Sequence, residues 1–180
     1  MCRVINLILV IGLLSVSYSI SADKDINMTE VRALAKLPVD EILKNSVVDA
    51  VEIESYWKNV HNRNRPLVVL FYSNNHGPSQ RLATLIKYVA PIYNSQLTFS
   101  RVKVSDKGKP SKDKAKILTT SYSLDDTPGI LFYDNVGTDM VLEDEDYIDA
   151  DFKEFRTPRM FLWKTYYNAV RKELDKLLAD

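Results

Sequence analysis

The spacing of apolar residues changes several times along the chain, and each change predicts an element. From Leu67 to Tyr72 the residues, LVVLFY, are almost continuously apolar over the length of one strand. Such a run is expected of a strand buried on both faces, and it predicts the centre of a sheet. Before it, Val31, Leu34, Ala35 and Leu37 share one helical face, interrupted by Pro38, so Asp23 to Ser46 reads as helix in pieces. Ile53, Tyr56, Trp57 and Val60 follow the i, i+3, i+4, i+7 rule of a second short helix, which the polar turn HNRNRP closes.

After Leu67 to Tyr72 comes a turn on Gly77-Pro78 and a helix with Leu82, Leu85, Ile86 and Val89 on one face, ended or bent by Pro91. Leu97 to Val104 alternates apolar with polar, as a half-buried strand does. A lysine-rich loop, 105–116, is marked by Gly108 and Pro110. The runs GILFYD and TDMVL predict a hairpin around Asn135-Val136-Gly137, with Gly137 free to take a positive φ. An acidic linker, 143–157, leads to Pro158, beyond which Leu162, Tyr166, Val170, Leu174 and Leu177 define a long amphipathic helix. No internal repeat is apparent. The order strand, helix, strand, hairpin, closing helix predicts an α/β fold with a mixed sheet covered on both faces.

Composition narrows the function classes. The chain has 180 residues, 46% hydrophobic and 27% charged, enough for one domain with a packed core. It carries 24 basic and 24 acidic residues. That balance gives no global pull toward nucleic acid or an anionic membrane. At the start, Arg3 precedes an apolar run from Val4 to Val16, and small residues gather at Ser19 to Ala22. The run falls short of the roughly 20 residues of a bilayer span. Residues 1–22 therefore read as a signal peptide, with an uncleaved anchor as the competitor, and no membrane association is expected after cleavage. Export is expected, to a bacterial periplasm or through a eukaryotic secretory pathway. The single cysteine, Cys2, lies in that segment. A chain cleaved there could form no disulfide and offer no thiolate.

The stretch Phe71-Tyr72-Ser73 followed by His76-Gly77-Pro78-Ser79, together with the later Thr127-Pro128-Gly129, resembles the thioredoxin family. The likeness covers roughly Val48 to Leu142, with 23–46 as an N-terminal helical extension, 47–180 as the domain and 105–116 as an insertion. The resemblance implies that a Cys-Gly-Pro-Cys turn opens the helix, and that a cis proline, here Pro128, faces that turn across a groove for an extended chain. In this sequence His76 stands at the attacking cysteine's position and Ser79 at the resolving one, so a dithiol reaction is chemically impossible. Leu70 stands where redox-active members bury an acid. Asp125, Asp126 and Thr127 precede the proline, where the family presents small or apolar groups.

The expected function is binding of a protein or extended peptide, chaperone-like, by Asn75, His76, Gly77, Pro78, Ser79, Asp126, Thr127, Pro128 and Gly129. No catalytic residue, cofactor or metal is assigned. A helix start disfavours positive charge on His76, while Asp125 or Asp126 across the groove would favour it. Ser79 as a nucleophile would need His76 as its base, yet that ring is expected to point outward. The two histidines, His61 and His76, fit no zinc spacing, and Glu143 to Asp151 lacks the pattern of a calcium loop. Asn27-Met28-Thr29 matches a glycosylation acceptor. Trp57, Trp163, Tyr166 and Tyr167 read as core aromatics. Two other classes compete: an enzyme using His76 with Asp126 or a partner's thiol, and a structural subunit docking through its last helix. The oligomeric state is open.

Overall fold

The computed structural model describes residues 26–107, 127–133, 146–148 and 163–179. Helices α1 (Met28–Leu34) and α2 (Val39–Ile42) precede strand β1 (Val48–Val51). A 3-10 turn, Ile53–Ser55, runs into α3 (Tyr56–His61), followed by β2 (Leu67–Ser73), α4 (Gly77–Tyr93) and β3 (Thr98–Ser105). Strands β4 (Gly129–Tyr133) and β5 (Asp146–Ile148) and helix α5 (Trp163–Leu177) complete the described elements.

The sheet order is β1-β3-β2-β4-β5. Strands β1, β3 and β2 run parallel, while β4 lies antiparallel to β2 and β5 antiparallel to β4. Every residue of β2 is buried, as its unbroken apolar run predicts for a central strand. Its side chains divide by the two-residue period of a strand. Val68, Leu70 and Tyr72 join the larger core, with Phe99, Ile130 and Phe132 and the apolar faces of α1, α2, α4 and α5. Leu67, Val69 and Phe71 join the smaller one, with Val102, Val104, Leu131, Tyr133 and the α3 residues Tyr56 and Val60. Helices thus cover both faces, and the α/β, thioredoxin-like fold class expected from the sequence is the one observed.

Several details differ from the sequence pattern. Strand β1 was not foreseen, because Val-Asp-Ala-Val is too short to establish an alternation. Helix α4 continues through Pro91 to Tyr93; the proline lacks the N–H that would bond to the Lys87 carbonyl, yet the helix runs on past it. The strand paired with β4 is Asp146–Ile148, within the segment expected as an acidic linker, and the ladder of Ile130, Leu131 and Phe132 holds it. The expected partner run 138–142, its turn at 135–137, the signal segment 1–22, Pro158 and most of the lysine-rich loop lie outside the described residues.

Leu70 is 1% exposed and pairs with Arg101 on the adjacent parallel strand. The Nε and Nη1 of Arg101 are buried with no acceptor. A carboxylate introduced at 70 therefore meets unused donors, whereas one at Val69 enters the opposite core. Both substitutions will destabilise, but Leu70→Asp should cost less than Val69→Asp by roughly 1–3 kcal/mol. Urea midpoints of the two variants check this, and equal losses would contradict the pairing.

Candidate functional site

The site begins where β2 stops. Helix α4 starts immediately after His76, whose backbone is extended (φ −102°, ψ 121°) and whose side chain makes no capping bond. Pro78 sits in the first turn, where a missing N–H leaves no helical hydrogen bond unmade. The turn stands at the carboxyl ends of β2 and β3, the end of an open α/β sheet where ligands bind. A larger, open depression of about 610 Å³ lies near the opposite end of these strands, beside Leu67, Thr98, Glu52 and Lys58. Its position separates it from the turn.

Hydrogen bonds tie the turn to three neighbours. The carbonyl of Asn74 accepts from the Val39 N–H at 3.0 Å, and its Oδ1 accepts from the Asp40 N–H at 2.9 Å. Asn74 thereby caps α2, whose own N-cap, Pro38, offers no side-chain bond. The Asn74 N–H donates to the Ser105 carbonyl, and both the N–H and Nδ2 of Asn75 donate to the Asp106 carbonyl. Next to this turn, the Tyr72 hydroxyl donates to Asp40, whose other oxygen lies 3.3 Å from Lys103 Nζ.

Ser73 joins the third neighbour. The Ser105 hydroxyl donates to Ser73 Oγ at 2.7 Å, and Ser73 Oγ shares a second hydrogen bond with Thr127 Oγ1 at 2.9 Å, in which either hydroxyl can donate. The Ser73 N–H donates to Ser79 Oγ at 3.2 Å. Ser79 Oγ also lies 3.3 Å from His76 Nδ1. The ring of His76 therefore turns in over the helix start, contrary to the outward direction expected for it. The contact does not make Ser79 a nucleophile, because Ser79 is fully buried and its oxygen holds the Ser73 N–H. An attacking oxygen has to be reached by its substrate.

Of the expected site residues, Asn75 is exposed, His76, Gly77 and Pro78 are half-buried, and Ser79, Thr127, Pro128 and Gly129 are buried. The Thr127–Pro128 peptide is cis. Asp126, and Asp125 before it, lie outside the described residues. An apolar notch of about 10 Å³ joins the two prolines: its walls include Pro78, Leu82 and Leu85 of α4, Pro128, and Trp163 and Tyr166 of α5. Trp163, Tyr166 and Tyr167 are buried as expected, with Trp163 stacked on Tyr167 at 5.3 Å between ring centres. That Trp163 also lines the notch was not foreseen, since helical spacing shows which face is buried and not against what. Trp57 is only half-buried, against the smaller core.

Asn27 is exposed at the start of α1, where its Oδ1 caps the Thr29 N–H at 3.0 Å. Among the described residues, no group of three or more His, Cys, Asp or Glu side chains is gathered as a metal site needs.

No family model matches the chain, and no curated protein matches it in sequence. Among solved structures it is similar to chloroplastic thioredoxin z, with 18% identity and a TM-score of 0.42 over 57% of this chain and 80% of that one. It is also similar to form II of ERdj5, with 14% identity and a TM-score of 0.48 over 73% of this chain and 15% of that one. For form I of ERdj5 the identity is 15% and the TM-score 0.47, over 74% of this chain and 16% of that one. The chain thus spans about a sixth of the ERdj5 length. The fold class stands on this chain's own strand order, pairing and covering helices.

Two predictions follow from the hydroxyls. Ser79→Ala deletes the buried hydroxyl that accepts from the Ser73 N–H and should cost about 1–3 kcal/mol in urea unfolding. The second concerns pH. Burial, reinforced by Asp40, holds the Tyr72 phenol well above its ordinary value of 10.0. Below that value the phenol is protonated folded and unfolded alike. Above it only the unfolded phenol ionises, so stability falls as pH rises, by up to about 1.4 kcal/mol per pH unit. Tyr72→Phe should flatten this fall between roughly pH 9 and 11.5, measured by urea unfolding. A residual slope is expected from Tyr88, pushed up to about 12 by burial and Glu30, and from Tyr93, raised chiefly by burial.

Proposed function

We propose that the protein is an exported, thiol-independent thioredoxin-fold module that binds an extended polypeptide where β2 and β3 end. The binding surface runs from the turn Asn75 to Ser79 to the loop Asp126 to Gly129. The observation that carries this reading is the apolar notch shared by Pro78 and Pro128, walled on its far side by Trp163. Surfaces that bind an extended chain combine apolar walls with a few polar groups, and the notch supplies one such point of contact. With Cys2 as the one cysteine, no internal dithiol is available for electron transfer. Export rests on the N-terminal pattern of charge, apolar run and small residues.

The competing classes draw less support. The buried Ser79 hydroxyl is occupied by a backbone N–H, which disfavours acyl chemistry with His76. Docking of α5 into an assembly would call for an exposed apolar strip. Its apolar residues Trp163, Tyr166, Tyr167, Val170 and Leu174 are buried in the molecule itself.

The chain has two tryptophans, so a Trp57→Phe variant leaves Trp163 as the reporter of the notch. Peptides selected from a random display library against this variant should shift the Trp163 emission on titration. Pro78→Asp, acceptable in a helix's first turn, should weaken them by about tenfold or more by placing a charge at the notch. A library that yields no peptide able to move the emission would overturn the reading, as would binding insensitive to Pro78→Asp.

A further inference from the structure

Arg81 lies one turn into α4, and its side chain folds back over the helix start. A Cβ added to Gly77 would meet Arg81 Nη1 at 3.3 Å. Arg81 lines the notch together with Pro78 and Pro128. Its Nε–H is buried and has no acceptor, and among the described residues Arg81 forms no ion pair. Burial disfavours its charged form, and among the described residues no carboxylate offsets that effect.

A second unused donor belongs to another residue that lines the notch. Trp163 is 3% exposed, and its indole Nε1–H is buried without an acceptor. Buried donors usually have partners, because an unmade hydrogen bond there costs about 1–3 kcal/mol. Neither group can accept a bond from the other, since guanidinium and indole nitrogens only donate. The remaining walls are apolar, and about 10 Å³ is room for roughly one oxygen atom. What fits such a place is a single strong acceptor that also carries negative charge.

We propose that the notch receives one carboxylate oxygen of an aspartate or glutamate side chain on the bound polypeptide. Arg81 supplies the charge and one donor, and the Trp163 indole supplies another. This specificity rests on the polypeptide-binding reading above. A backbone carbonyl offers the same acceptor without the charge, so the test separates the two.

Two blocked heptapeptides, identical except for a central glutamate or glutamine among valines and threonines, are titrated into the mature protein by calorimetry. The glutamate peptide should bind about tenfold more tightly at low salt, and the gap should narrow as salt rises. Arg81→Gln should close the gap by weakening the glutamate peptide alone. Arg81→Lys, which keeps the charge and loses the planar fork, should leave a smaller gap. Equal binding of the two peptides to the unaltered protein overturns the acidic specificity and leaves polypeptide binding standing. Failure of both peptides, together with a display library that yields none, overturns both.

Discussion

The end of β2 has a buried N–H and a buried hydroxyl on one residue, Ser73, and the site is arranged around satisfying them. A buried donor or acceptor left alone costs about as much as several well-made surface contacts contribute. The N–H is met by Ser79, which fixes the first turn of α4 against the strand. The hydroxyl is met by Ser105 and Thr127, which brings the end of β3 and the proline loop to the same point. Three segments far apart in sequence are thus held together by short polar side chains at the edge of an apolar core. The prolines on two of them, Pro78 and Pro128, consequently line one notch.

The N-terminal helices are bound into this arrangement. Helix α2 has four residues, too few to persist alone. Asn74 satisfies donors at its start and Lys87 Nζ donates to the Ile42 carbonyl at its end. The turn that borders the site therefore also serves as the missing cap of a helix more than 30 residues earlier. Loss of Asn74 would loosen both together, which is why the extension belongs to the folded unit and not to a leader laid beside it.

Much of the fold was legible because β2 declares itself. Seven buried residues in succession, with Val68, Leu70 and Tyr72 serving one core and Leu67, Val69 and Phe71 the other, leave few alternatives to a central strand. The amphipathic faces of α4 and α5 then supply the covering layer. What was not legible depends on distant pairing. Strand β5 follows acidic residues and is a strand because β4 offers it a ladder; nothing in Asp-Tyr-Ile requires one. The site residues at the turn were readable from the Gly-Pro motif, but Ser73, Ser105, Asn74 and Arg81 carry no local mark of their roles. A serine at the end of a strand looks like any turn serine until the strand beside it is known.

The same polar economy bears on what kind of chemistry the site can perform. The hydroxyl best placed to act, Ser79, is turned inward and holds the Ser73 N–H, so its lone pairs are directed at the structure and not at a substrate. Among the described residues lining the notch, the polar atoms without a partner are donors: the buried Arg81 Nε–H and Trp163 indole N–H. Bond making at a carbonyl or phosphorus would require a nucleophile facing the ligand, together with a base to activate it. Donors beside apolar walls instead select among ligands by what the ligand can accept. Among the described residues, then, the hydroxyls at the end of β2 serve cohesion, and the polar atoms left without a partner beside the notch are donors.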